Sequence, residues 1–161
     1  MRRFVLMRKI ILFLAFLLSF FSCKEEDFTN IPDARVYLTL TLDDYSSFKN
    51  GIGNSLVCPR DLKAKDMTGA SYGYGGLILF HTMDSERVFV AYDRTCPFEV
   101  KASVKINVDG GQGVCPQCGS VFDLLTGYGA VVSGKAKYPL RSYTVHVYTS
   151  SVRGDELQVV N

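Results

Sequence analysis

Apolar and polar residues alternate along the first readable segment, where Val36, Leu38, Leu40 and Leu42 are interleaved with Arg35, Tyr37, Thr39 and Thr41. A period of two sets one side of an extended chain against a core and the other toward water, so a half-buried strand is expected here. Two continuous apolar runs follow, Gly76 to Thr82 and Arg87 to Asp93, joined by Met83-Asp84-Ser85-Glu86. Short runs split by a polar connection predict a hairpin. Alternation returns from Ala102 to Asp109 through Val104, Ile106 and Val108, and Asp109-Gly110-Gly111-Gln112-Gly113 offers residues that accept positive φ in a turn. Val114, Val121 and Leu124 are the next apolar anchors, and Pro139 to Thr149 with Glu156 to Val160 predict a closing hairpin turned at Arg153-Gly154-Asp155. Helical periodicity is absent beyond a short turn near Asp61 to Lys65. Residues 43 to 75 carry Gly51, Gly53, Gly69, Gly73 and Gly75 with few apolar anchors, and a long loop is expected there. Many short strands separated by Gly, Asp and Asn predict an all-β fold, an antiparallel sandwich or small barrel.

The N-terminus follows a different rule. Arg2, Arg3, Arg8 and Lys9 precede a stretch from Ile10 to Phe21 that is apolar apart from Ser19, and Ser22-Cys23 ends it. A membrane span needs roughly 20 apolar residues, so this shorter run fits a secretory signal peptide over residues 1–22. Met7-Arg8-Lys9 would serve equally well as the start. An apolar run that ends on a small residue and a cysteine resembles a bacterial lipoprotein signal, with Phe20 bulkier than the usual leucine. The resemblance implies that Cys23 is lipidated and holds the protein to a membrane of the bacterial cell envelope. Lys24-Glu25-Glu26-Asp27 opens an acidic linker, residues 23–34, similar to the export tag of lipoproteins displayed on the outer membrane surface. Removing residues 1–22 takes four of the 18 basic residues and none of the 16 acidic ones, which leaves 14 against 16 and a net charge of −2. The basic balance of the full chain thus belongs to the signal, and no nucleic-acid partner is implied. Residues 35–161 are expected to form one domain.

The candidate chemistry lies in two short segments, Cys96-Pro97-Phe98-Glu99 and Cys115-Pro116-Gln117-Cys118-Gly119-Ser120-Val121-Phe122-Asp123. Sulfur presented by two loops, each after a strand, is suited to gripping a metal. The second segment resembles the second cluster-binding box of Rieske proteins, roughly Cys-Pro-x-His-Gly-Ser-x-Phe/Tyr-Asp, and the first resembles the first box, Cys-Pro-His. Val88 to Asp93 is similar to the strand that delivers the first box. Gly134-Lys135-Ala136-Lys137-Tyr138-Pro139-Leu140 is similar to the loop that covers the cluster, and Tyr143 enters a family-like closing strand. The resemblance covers about residues 75 to 160 and implies a Rieske-like fold with a cluster-binding loop subdomain at about 94–140.

The resemblance implies a [2Fe–2S] site on Cys96 and Cys115, with Ser120 bonded to a bridging sulfide. Phe98 and Cys118 stand where the family has its two histidines. Phe98 has no lone pair to offer, and Cys118 can ligate as thiolate. More thiolate and fewer donors to sulfur lower the potential, toward about −400 mV for a plant-type cluster. A fourth ligand must come from Cys58, His81 or His146. The histidines lie in apparent strands, so Cys58, in Val57-Cys58-Pro59, is the better candidate for an all-cysteine site holding [2Fe–2S] or zinc. The alternative needs no cofactor: outside the cytoplasm Cys58, Cys96, Cys115 and Cys118 can pair as disulfides, and a bond from Cys96 to Cys115 or Cys118 would staple the two loops.

Two function classes follow. One is a membrane-anchored electron-transfer module with an unknown redox partner protein, as the resemblance implies. The other is a binding or structural lipoprotein, cofactor-free or zinc-bound, using the loop tips. Phe98, Tyr128 and Tyr138 either form an aromatic patch there or pack an emptied cluster pocket, and packing is the expectation. A stand-alone enzyme is disfavoured: neither a Ser/His/Asp set nor a paired-carboxylate signature nor a phosphate loop is present, and two histidines leave little for acid–base chemistry.

Overall fold

The structure is a computed structural model that describes residues 29–152 and 154–161. The signal region, Cys23 and the first half of the acidic linker lie outside the described residues, as does Arg153 of the last turn. Among the described residues no helix is long and apolar enough to cross a membrane.

The alternating segment forms β1 (Val36–Thr41), with Val36, Leu38 and Leu40 buried and Tyr37 turned outward. After it come a single 3-10 turn at Leu42–Tyr45, α1 (Ser46–Asn50), β2 (Ser55–Cys58), α2 (Ala64–Met67) and β3 (Ser71–Tyr72). The expected long loop over 43–75 is therefore corrected. Its apolar residues are spaced singly rather than periodically, yet Tyr45, Phe48, Leu56 and Leu62 each enter the core. Phe48 packs on Phe89 with ring centroids 5.1 Å apart. Burial of such a side chain is worth about 1.5–3 kcal/mol, enough to order a segment of low local propensity.

The two continuous runs become β4 (Leu77–His81) and β5 (Phe89–Asp93), antiparallel with Leu77 opposite Asp93 and Leu79 opposite Ala91. The expected hairpin is present. Both strands read as unbroken apolar runs because both of their faces are covered. Leu77, Leu79 and Ala91 face one core with β1, Phe48 and Leu157, whereas Ile78, Phe80, Val90 and Tyr92 face a second with Cys96, Ile106, Cys115, Phe122, Leu124 and Leu140.

That second core lies under a small antiparallel sheet of β6 (Asn107–Asp109), β7 (Gln112–Val114), β8 (Val121–Asp123) and β9 (Val131–Ser133), in that spatial order. The strand expected over Ala102 to Asp109 shrinks to β6, because Val104 and Ile106 reach the core from a loop that bonds back to Cys96 and Arg94. The closing hairpin is β10 (Ser142–Tyr148) and β11 (Glu156–Val160), and β11 also pairs with β1. The larger sheet has the order β2-β4-β5-β10-β11-β1-β3, all antiparallel. The fold is thus mostly β: a seven-stranded antiparallel near-barrel plus a four-stranded antiparallel sheet, with few helices.

Candidate metal centre

The first cysteine turn leaves β5 at Asp93, a fully buried carboxylate. Asp93 accepts the N–H groups of Tyr74 (2.8 Å), Gly75 (3.1 Å) and Thr95 (2.8 Å) and the Tyr143 hydroxyl (2.8 Å). A buried charge is tolerable only when donors surround it in this way. Burial and the neighbouring carboxylate push the Tyr143 phenol up, so it stays a donor. Gly75 is required here, since a Cβ would run into Thr95 Oγ1. Arg94 and Cys96 are tied to the returning chain through Ile106 N to Arg94 O (2.7 Å) and Cys96 N to Val104 O (3.2 Å). Cys96 then opens a turn closed by Val100 N to Cys96 O at 2.9 Å.

The second turn links β7 to β8. Cys115 N donates to Ser120 O (2.9 Å), and Gly119 N donates to Cys115 O (3.0 Å). Gly119 has φ +72, a value glycine takes without cost.

These two turns bring Cys96, Cys115 and Cys118 together, with the three Sγ atoms all within 4.8 Å of one another. The Sγ atoms of Cys96 and Cys118 are 3.6 Å apart. That exceeds an S–S bond of about 2.05 Å and is close to the ~3.8 Å between two sulfurs on one tetrahedral ion with 2.3 Å metal–sulfur bonds. The three thiols can therefore hold a metal ion. Cys96 and Cys115 are buried, and Cys118 is partly open to solvent.

Ser120 sits beneath the sulfurs. Its Oγ accepts the N–H groups of Lys135 and Ala136, both at 3.0 Å, and lies 3.1 Å from Cys118 Sγ. With both lone pairs engaged, the hydroxyl proton is left for the sulfur. The loop carrying Lys135 and Ala136 closes this tightly because Gly134, at φ +100, has no Cβ to strike Ser120.

The thiols are set apart electrostatically. Burial pushes the Cys96 thiol up to about 12, although the N–H groups of Glu99 and Phe98 offset part of that cost. At Cys118 burial also acts upward, but the Ser120 hydroxyl and N–H together with the Cys115 and Cys96 thiols outweigh it and hold the thiol below its ordinary value. Of these two thiols, Cys118 is the one whose surroundings favour the thiolate.

The remaining predicted residues lie elsewhere. Cys58, at the end of β2, is buried in the other core, where burial pushes its thiol up to about 12. It is not brought to the three sulfurs. His81 donates its Nδ1–H to Phe48 O (2.9 Å) and packs on Phe89, and His146 is exposed beside Tyr148. The expectation that Phe98, Tyr128 and Tyr138 pack the pocket is overturned: they are 47%, 57% and 41% exposed. The pocket side of the turns is filled by Ala136, Leu140 and the cysteines themselves. Phe98 instead lies under the Lys135 ammonium, 5.8 Å from the ring centroid, and Tyr128 under the Arg87 guanidinium at 4.1 Å.

Sequence reasoning missed Asp93, whose donors come from residues 2 to 50 positions away. Its signal was an acid at the end of an apolar strand, just before the first cysteine turn. Together the fold and the cysteine turns define a mostly β protein with a three-thiol candidate metal centre. No protein-family model matches this chain, and no curated protein matches it.

Proposed function

We propose that this chain is a Rieske-like module of the bacterial cell envelope that binds one thiophilic metal ion through Cys96, Cys115 and Cys118. The observation that carries the proposal is the approach of all three sulfurs to within 4.8 Å, backed by hydrogen-bond donors to Cys96 and Cys118. Donors to sulfur favour the thiolate that a metal requires. Cys23 tethers the module by its lipid. Asn30 donates to Pro97 O, so the folded domain begins beside the first cysteine turn. The seven peptide steps from Cys23 to Asn30 reach at most about 25 Å, which keeps the metal site near the membrane.

A [2Fe–2S] electron-transfer site is the second reading. The placement of Cys96 and Cys115 on opposed turns over Ser120 favours it, and the ordered resemblance implies it. Against it, three sulfurs gathered this closely suit one ion better than two irons, and the described residues bring no fourth donor among Cys, His, Asp and Glu into the group.

Metal and acid-labile sulfide analysis of the anaerobically purified full chain tests both. One equivalent of zinc or another thiophilic ion without sulfide is expected, lost in Cys115→Ser and retained in Cys58→Ser. Stoichiometric iron and sulfide would favour the cluster. A metal-free protein that takes up no ion after reduction, with Cys96 and Cys118 bridged, would refute metal binding and leave a disulfide-stapled structural module.

A further inference from the structure

The two cysteine turns are copies of one another. Each begins Cys-Pro, and in each the fifth residue donates its N–H to the carbonyl of that cysteine, Val100 to Cys96 and Gly119 to Cys115. Each also sets the fifth residue at positive φ, +51 at Val100 and +72 at Gly119. The fourth residue of the second turn is Cys118, which the turn aims into the site 3.6 Å from Cys96. The fourth residue of the first turn is Glu99.

Val100 gives this correspondence weight. Glycine reaches positive φ freely, whereas a β-branched residue there is a strained outlier. Strain of that kind persists only where the surroundings over-determine the backbone, and it gathers at functional sites. The first turn thus keeps the geometry of a ligand-presenting turn without the glycine that would make it easy. Glu99 Oε2 also accepts from Gln117 Nε2 at 2.8 Å, a bond that reaches across to the opposite turn.

We propose that Glu99 is the fourth ligand of the metal held by Cys96, Cys115 and Cys118, and that Gln117 retains its carboxylate beside the site until the ion enters. The inference rests on the metal-binding reading above. Zinc accepts carboxylate oxygen readily, and a fourth protein donor closes the tetrahedron of a structural site. Binding requires Glu99 to exchange Gln117 for the ion, since its carboxylate is outside the sulfur group in this structure. Lys135, on the loop tip over Phe98, offsets part of the negative charge that three thiolates and a carboxylate place on one divalent ion.

Cobalt(II) titrated into the reduced, metal-free full chain separates the two levels of the argument. Thiolate-to-cobalt charge-transfer intensity reports the number of sulfurs, and the d–d bands report the fourth donor. Glu99→Gln is expected to keep the intensity of three thiolates, shift the d–d bands and weaken cobalt binding at least about 10-fold. Glu99→Asp should restore part of the affinity, and Gln117→Ala should bind at least as tightly as the unaltered chain. Unchanged bands and affinity in Glu99→Gln, with full charge-transfer intensity, would overturn Glu99 as ligand while leaving the three-thiolate site standing. Absence of charge transfer in the unaltered chain would overturn both. Thermal melts of the metal-free proteins identify a variant that fails to fold, in which case the Glu99→Asp and Gln117→Ala comparison decides.

Discussion

Replacing Ser120 with alanine removes one oxygen that three groups use. The side chain is fully buried, and its Oγ serves the N–H groups of Lys135 and Ala136 while donating to Cys118 Sγ. The Ala136 N–H is buried and would be left without an acceptor, at a cost of about 1–3 kcal/mol. The Lys135 N–H lies at the rim where water can replace the hydroxyl, and its loss adds about 0.5–1 kcal/mol. The total, about 1.5–4 kcal/mol, is a large share of the roughly 5–15 kcal/mol that holds a domain together. Urea unfolding of the reduced, metal-free protein should show this as a lower midpoint with an unchanged slope. A second readout is independent of stability. The Cys118 thiol lies below its ordinary value, so it contributes stability above the unfolded thiol's pKa, about 8.5, and that contribution is lost as pH falls through the folded value. Ser120→Ala should raise the pH at which Cys118 becomes reactive to alkylation. A midpoint within experimental error of the unaltered protein would refute the burial argument. A lower midpoint with an unmoved alkylation profile would refute the assignment of the hydroxyl proton to Cys118.

Asp93→Asn should destabilise the protein by about 3–5 kcal/mol, because either orientation of the amide turns N–H toward backbone N–H; Tyr143→Phe should cost less, about 1–2 kcal/mol, and a double-mutant cycle by urea unfolding would expose their coupling. Val100→Gly should leave stability unchanged or raise it by about 1 kcal/mol, since relief of positive-φ strain outweighs the entropy of glycine; a clear loss would show that φ +51 is not strained here. Cys58 and Cys96 have folded pKa values raised to about 12, so their contribution is full below the unfolded thiol pKa and disappears as pH rises toward 12. Unfolding midpoints measured upward from neutral pH should therefore fall steeply on the alkaline side, and Cys58→Ala should flatten that fall while lowering the midpoint at pH 7.

The residues differ in how far their roles are legible along the chain. Strand β1 announces itself because one face is buried and the other wet, and a period of two records that. Strands β4 and β5 are legible as strands, but their continuous runs carry no hint of which face meets which core. Cys96, Cys115 and Cys118 are recognisable because their partners lie inside two short segments. Tyr45, Phe48 and Leu62 are not, since each packs singly against residues far along the chain and leaves no period. Asp93 is silent for the same reason: Tyr74, Gly75 and Tyr143 are 19, 18 and 50 residues from it. Cys58 was drawn toward the site by its residue type and a loop-like setting, whereas the register of β2 with β4 places it in the opposite core.

This distribution explains how the site keeps its shape. The turns that carry the sulfurs are fixed by groups around them. Asp93 fixes the exit of β5, the ladder of β7 with β8 fixes the base of the second turn, and Ser120 with Gly134 fixes the covering loop. None of these residues is itself one of the three thiols. A scaffold of this kind can keep the turns in place whichever side chain stands at position 118. Phe98 is turned outward under Lys135, so the donor set gathered by the two turns, Cys96, Cys115 and Cys118, decides what the site can hold. Three soft donors select a thiophilic ion over an oxygen-seeking one such as magnesium or calcium. Competition between zinc and a large excess of magnesium in the reduced protein should accordingly leave zinc bound.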